Sequence, residues 1–261
     1  MDPATIVGIV LALVAVLGSM IMEGGDPAAM IAPPAMLLVF VGTFGVAMAC
    51  GLMKDATSIA SFLKAALLTK KAHPPDVAIK HLVEFAEKAR REGLLALEEA
   101  AKTIEDPFMK KGIELAVDGT DPEELREILE TEIHSLKARH KVGAKFFENM
   151  GGFAPTLGII GTVLGLVHVL QNLSKPETLG ESISGAFIAT LWGVMSANLF
   201  WLPMSNKLKR VSEIEVHHMQ IMLEGILAIQ AGANPRVIEQ KLVAYLAPKE
   251  RAGMDAKGKA A

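Results

Sequence analysis

The sequence predicts an all-α membrane protein. It has four transmembrane helices, a helical cytoplasmic domain between the second and third, and a cytoplasmic helical extension at the C-terminal end. Three observations predict this class. Four stretches lack Asp, Glu, Lys and Arg: Pro3–Met22, Pro27–Met53, Asn149–Ser174 and Ser182–Asn206. Each is long enough for a helix to cross about 30 Å of hydrocarbon. Of the 26 Lys and Arg residues, 25 lie in two blocks, 54–150 and 205–261, and each block follows a pair of those stretches. Hydrophobic residues make up 51% of the chain, above the share of an ordinary soluble domain.

The positive blocks set the orientation. Lys and Arg near membrane spans collect on the cytoplasmic side, so both termini are expected in the cytoplasm of a multi-pass inner-membrane protein. The expected organisation is a hairpin over 1–53, with spans at 5–22 and 34–53, then a cytoplasmic helical domain over 54–150. A second hairpin covers 151–204, with spans at 151–173 and 183–204; cytoplasmic helices cover 205–247 and a disordered tail 248–261. The residues ahead of Thr5 include no basic n-region, so the first stretch reads as a retained span and not as a signal peptide.

Within the second span Gly42, Gly45 and Ala49 share a face where neighbouring helices could approach. The insert reads as helix throughout. A short amphipathic piece over Ala56–Leu68 breaks at Lys70–Pro75, and apolar spacing predicts helices over Asp76–Arg91, Leu94–Thr103 and Pro107–Val117. Asp121-Pro122 supplies a cap and a proline at the first helical position. No breaker follows before Gly151, so this helix is expected to run straight into the third span. The fourth span is likewise expected to continue to Gln230, and Asn234-Pro235 to start a last helix ending near Tyr245.

Composition excludes several classes. Cys50 is the sole cysteine and falls in an apolar stretch, which rules out an intrachain disulfide or a cysteine-rich metal site. The seven histidines form no metal-ligand spacing; His217 and His218 are adjacent and point apart on a helix. Basic and acidic residues alternate along helical patterns, which is no nucleic-acid footprint. No nucleophile–base pair or phosphate loop marks an enzyme.

The chemistry-bearing candidates lie in three places. In the third span Gly158, Gly161, Thr162 and Gly165 make a smooth face carrying one hydroxyl. In the fourth, Gly185, Ala186, Ala189, Thr190, Gly193 and Ala197 do the same. Such faces either pack against each other or line a path around another helix; in the second case Thr162 and Thr190 offer oxygens to a partly dehydrated cation. Pro155 and Pro203 interrupt the backbone hydrogen bonding near the cytoplasmic ends of these spans. His168, toward the other end of the third span, reads as an interfacial polar residue. Arg90, Arg91 and Glu98 flank Gly93 in the insert, either as a solvated surface or as charges that steer a protein partner. No acid lies within any span, so the chain either moves no ions or relies on a partner helix for the acid.

Several of these runs resemble one family. They are PTLGIIGTVLGL over Pro155–Leu166, Ala189-Thr190-Leu191-Trp192-Gly193 with Ala197-Asn198 and Pro203, and Glu224–Gln230 followed by Asn234–Ile238. The charged segment Ala89–Glu98 belongs with them. Together they are similar to the MotA/PomA flagellar-motor stator channel subunits over nearly the whole chain, the tail after Pro248 excepted. The resemblance implies a homo-oligomer, a pentamer in the family, surrounding single-span, peptidoglycan-anchored partners of the MotB/PomB type whose aspartate carries the ion. It implies that Arg90 and Glu98, with Arg91 beside them, engage the rotor protein FliG. Pro155 and Pro203 would couple motion to ion passage, and Thr162 and Thr190 would line the ion pathway. Thr162 matches a position that tilts the family toward sodium over protons. No cofactor or resident metal is implied, only the transported ion, Na+ or H+. The nearer rival is an ExbB/TolQ-type channel driving a periplasmic partner, whose members typically have three spans.

Overall fold

The computed structural model describes residues 3–67, 75–174, 177, 179–248 and 251. The expected break at 70–74 and most of the expected tail lie outside them. Every regular element among the described residues is helical. The chain divides into two compact units: residues 1–70 with 139–211, and residues 71–138 with 212–261.

The first unit begins with α1 (Ala4–Met22), which has no buried residue and is apolar along its length. Asp26 then caps a short 3₁₀ turn, Pro27–Met30, by accepting from the Ala28 N–H at 2.9 Å. The second apolar helix, α2 (Pro33–Ala49), stops four residues short of the expected Met53. The chain turns at Cys50-Gly51, and Leu52 is extended, its N–H held by the Asp55 carboxylate at 3.0 Å. Cys50 therefore sits in an exposed turn and not inside the span. At 17 residues α2 is close to the lower limit for crossing a bilayer. Its buried face is Ala35, Val39, Thr43 and Ala47, at intervals of four; of the expected small-residue face only Gly42 is packed, against Leu157, while Gly45 has open space around it and Ala49 is exposed.

Two short helices follow, α3 (Met53–Thr57) and α4 (Ile59–Leu67), in place of the single expected piece. Phe62 of α4 lies so close to Gly143 that a Cβ there would fall 2.8 Å from its ring.

The second unit holds α5 (Pro75–Glu92), a 3₁₀ turn at Leu94–Ala96, α6 (Leu97–Ala101) and α7 (Pro107–Val117). Asp106 starts α7 by accepting from the Phe108 and Met109 N–H groups at 2.9 and 3.0 Å, with Pro107 first in the helix. Asp121 does the same for α8 (Pro122–Gln171), accepting from the Glu123 N–H at 2.9 Å. This 50-residue helix runs unbroken through the Gly151-Gly152 pair and Pro155, as the missing breaker predicts. Helix α9 (Leu179–Gln230) runs through one wide turn at Ala197–Trp201, and α10 (Pro235–Val243) starts at an Asn234 cap.

The core of the second unit is one cluster that includes Ile79, Leu82, Leu97, Ile113, Leu125, Ile226 and Leu242. Around it, Glu224 joins three elements: its carboxylate accepts from Lys241 Nζ of α10 at 2.5 Å and from Arg126 of α8 at 3.4 Å. Burial pushes this carboxyl up, but the Lys241 and Arg126 cations outweigh that and hold it below the usual carboxylate range. A lowered native value means the stabilisation is present above the ordinary carboxylate pKa and fades as pH falls through the native one. Glu224→Gln should therefore cost roughly 1 kcal/mol of unfolding free energy at neutral pH. The difference from the parent should vanish in strong acid, as measured by denaturant unfolding at several pH values.

Candidate functional site

The apolar parts of α8 and α9 meet backbone to backbone. A Cβ on Gly158 would lie 2.8 Å from the Ala189 carbonyl and 3.0 Å from Thr190 Cα. One on Gly193 would lie 2.6 Å from the Ala154 carbonyl, and one on Gly165 would lie 2.5 Å from Ala186 Cβ. Gly161 fits against Ala189 in the same way, with Leu38 of α2 beside it. Most of the small residues that the sequence offers as a smooth face are thus spent on this contact. Of the glycines on these two faces, Gly185 alone stands in open space.

The contact brings the two candidate threonines together. Thr162 and Thr190 hydrogen-bond through their hydroxyls, half-buried between the helices. Thr162 Oγ1 also reaches the Ala186 carbonyl at 3.0 Å and the Gly158 carbonyl at 3.2 Å. Thr190 Oγ1 reaches that same Gly158 carbonyl at 3.2 Å. Two rotatable hydroxyls and two backbone carbonyls thus form one cluster of four oxygens in otherwise apolar surroundings. Such an all-oxygen set suits a hard cation, and a hydroxyl can also hold a water. Beside it Ile159, Ile160, Val163 and Leu164 are exposed, an apolar surface that lipid or further protein would cover.

Two elements steady the crossing. Trp192 donates its indole N–H to the Met30 carbonyl at 2.7 Å and meets the Phe40 ring edge-on at 5.5 Å. Toward the other end, Phe146, Phe147, Met150, Met204 and Leu208 pack with Ala47, and Phe147 stacks on Trp201. There the buried Ser205 hydroxyl donates to the Ala144 carbonyl at 2.8 Å. One turn on, the Glu148 carboxylate accepts from Lys209 Nζ of α9 at 2.7 Å and from Lys145 Nζ of its own helix at 3.2 Å. Lys209 first and Lys145 second hold the Glu148 carboxyl below its ordinary pKa.

Pro155 and Pro203 lie between these two sets of contacts. Each removes a backbone donor and crowds the carbonyl four residues back. On α8 that residue is Gly151, whose lack of a side chain admits Leu202: a Cβ there would fall 2.5 Å from it. On α9 the wide turn sits just ahead of Pro203, and the Leu202 N–H donates five residues back to the Ala197 carbonyl. Pro203 also lines a cleft of about 400 Å³ with Ala4, Gly8 and Ala12 of α1.

In the second unit Arg90 and Arg91 close α5, and Gly93 reverses the chain at φ +85°, a left-handed conformation that a side chain would strain. Glu98 opens α6, so all three charged candidates are exposed around one turn. Arg91 pairs with Glu87 on its own helix at 3.9 Å. Leu95, which sequence pattern did not single out, projects from the same turn at 74% exposure. Trp192 and the Glu148–Lys209 pair were also missed. Lys145 and Glu148 are readable as neighbours on one helix, but no local pattern joins them to Lys209.

A model of the MotA/TolQ/ExbB proton channel family matches residues 100–221. The motility protein A of Bacillus subtilis is 37% identical over 260 residues, covering all of this chain and 96% of that one. The chemotaxis protein PomA of Vibrio alginolyticus is 36% identical over 255 residues, covering 97% of this chain and 98% of that one. The flagellar MotAB stator complex from B. subtilis contains a chain that superposes with a TM-score of 0.89 at 38% identity. That match covers 95% of this chain and 98% of the other.

The crossing makes a direct prediction. Gly158→Val should drive the helices apart and cost about 2 kcal/mol, seen as a lower thermal midpoint and less protein in the membrane. Gly185→Ala, placed in open space on the same helix pair, should leave both unchanged.

Proposed function

The chain belongs to the MotA/TolQ/ExbB proton channel family, and from that premise we propose that it is a flagellar-motor stator subunit. With a single-span partner of the MotB/PomB type it would form an ion channel that turns ion flow into torque on the rotor. The family is one of ion channels, not of enzymes, and it uses no cofactor. The observation that carries the proposal is the four-oxygen cluster of Thr162, Thr190, Gly158 and Ala186, set in two apolar stretches that contain no charged residue.

A carboxylate in such surroundings is costly unless neutralised, and this chain supplies none. The partner's acid would enter the apolar surface of a ring of these subunits. A cation arriving from the periplasm neutralises it there, and the carboxylate moves along the ring at lower cost. Release of the cation to the cytoplasm restores the charge and completes one step. Crossing 100 mV yields roughly 2.3 kcal/mol per monovalent ion, so each step is small and many make a revolution. In this reading the hydroxyls and carbonyls at the crossing serve as a coordination shell for sodium, the ion favoured over the proton.

The four-span arrangement belongs to this proposal. Helices α1, α8 and α9 are long and apolar enough to cross a membrane, and α2 is a shorter apolar helix. Read as a span, α2 completes two hairpins in the inner membrane with both termini in the cytoplasm. The paired hairpins separate this reading from the ExbB/TolQ alternative. The turn carrying Arg90, Arg91 and Glu98 then faces the rotor protein FliG, with Leu95 between the charges. A pentameric ring would cover the exposed apolar surface of α8, and Pro155 and Pro203 would let the helices flex as the ion passes.

Two experiments test these assignments. Swimming speed should rise with external sodium at fixed membrane potential; a flat response would assign protons. Thr190→Val should raise the sodium concentration for half-maximal speed about tenfold, the effect of losing about 1.4 kcal/mol of binding. The combined Arg90→Ala and Glu98→Ala variant should assemble normally and carry ions with its partner while generating little torque. Unchanged torque in tethered cells would remove the rotor contact from that turn.

A further inference from the structure

The segment of α8 and α9 that contains both prolines is held at each end. On one side the helices touch through Gly158 and Gly193, where their backbones leave no room for a side chain. On the other they are tied by the Ser205–Ala144 hydrogen bond at 2.8 Å and the Lys209–Glu148 ion pair at 2.7 Å. Pro155 lies seven residues, about two turns, beyond Glu148 along α8. Pro203 lies six residues ahead of Lys209 along α9, and the wide turn at Ala197–Trp201 immediately precedes it. Both weak points in the backbone ladder therefore fall between two points where the helices are fixed to each other.

Helices bend where a backbone hydrogen bond is missing or stretched, so bending concentrates in this bracket. What happens beyond it depends on the tie at the far end. If the two helices are joined there, a bend at either proline moves both together; if they are not, each swings independently and the displacement is lost as slippage. The glycine contact is rigid packing and cannot be adjusted without opening the crossing. The Glu148–Lys209 tie is different in kind. It joins two long side chains, roughly half-exposed, and it can follow small shifts of one helix along the other without breaking.

We propose that Glu148 is a positioning residue for the torque-generating step: bridging to Lys209, it couples α8 and α9 about two turns from the prolines so that bending at Pro155 and Pro203 is passed on as one movement. Lys145 steadies the carboxylate from the same helix. The proposal rests on the stator reading, but not on the identity of the ion. It also separates function from stability. A pair as exposed as this one adds little to folding, so its loss should scarcely change the assembled protein while changing what a bend accomplishes.

The test uses the full chain expressed with its partner in a strain lacking its own copy. Glu148→Gln, Lys209→Glu, Glu148→Asp and the reversal Glu148→Lys with Lys209→Glu are compared with the parent. Membrane level, thermal midpoint, ion flux in vesicles and stall torque in tethered cells are measured. Glu148→Gln and Lys209→Glu should assemble to parental levels with midpoints within about 2 °C and conduct ions, while torque falls about threefold or more. Glu148→Asp and the double reversal should recover at least about half of the lost torque. Parental torque in both single variants would overturn the proposal, as would a reversal no better than the worse single variant. A torque loss matched by lower membrane level or midpoint would also overturn it, because the pair would then be a structural staple. If the parent itself gave no ion-dependent torque, the stator reading would fall first; a driven parent with an indifferent Glu148 removes only this role.

Discussion

The direct contact between the backbones of α8 and α9 is the constraint on which the rest of the site depends. Gly158, Gly193 and Gly165 remove the side chains that would hold the helices at an ordinary packing distance. Without an apolar driving force in lipid, close approach is one of the few ways to gain dispersion energy between helices. The same approach brings two threonine hydroxyls into hydrogen-bond range and lets each reach the Gly158 carbonyl. A larger residue at 158 would disturb the packing and the oxygen cluster together. Stability and site are one geometric fact here, which is why the small residues cannot be assigned to one role or the other.

The prolines make sense only beside that rigidity. A proline in an isolated helix weakens one turn; a proline between two fixed contacts creates a segment whose ends are defined and whose interior can yield. Each helix accommodates its ring differently. On α8 the residue four back is Gly151, which allows Leu202 to close in. On α9 the turn ahead of Pro203 is widened and its bond runs from Leu202 back to Ala197. Wide turns of this kind are frequent at functional sites.

Much of this was legible in the sequence, and the legible part has a common cause. Charge-free stretches, Asp-Pro and Asn-Pro starts and the lack of a breaker before Gly151 act locally, so the extents of α7, α8, α9 and α10 follow from a few neighbouring residues. The end of α2 did not follow, because Cys50-Gly51 is a weak stop signal whose turn is secured by Asp55, a residue that reads as merely flanking. The packed face of α2 was only partly read: Gly42 does meet Leu157, but Gly45 stands in open space, and Val39, Thr43 and Ala47 are the ones buried. At the site, residue type and spacing pointed to Thr162 and Thr190. Their meeting required the helix crossing, which is a long-range fact. Glu148 and Lys209 lie 61 residues apart, and no periodicity in either helix predicts their pairing.

The distribution of charge finally separates two kinds of surface within one chain. Charges inside the apolar stretches would fix water and counter-ions near the crossing and raise the cost of a helix sliding past it. Their absence leaves uncharged oxygens as the polar groups at the crossing itself, able to meet a cation without trapping it. Outside those stretches the logic reverses. At Gly93 the exposed Arg90, Arg91 and Glu98 sit around a turn with little packing of their own, where charge can guide an encounter without stabilising the fold. Glu148 and Lys209 occupy the boundary between these regimes, just beyond the charge-free stretches on both helices. An ion pair can form there without the desolvation penalty it would incur a few turns further in. Its location lets charge join the two helices just outside the apolar stretches.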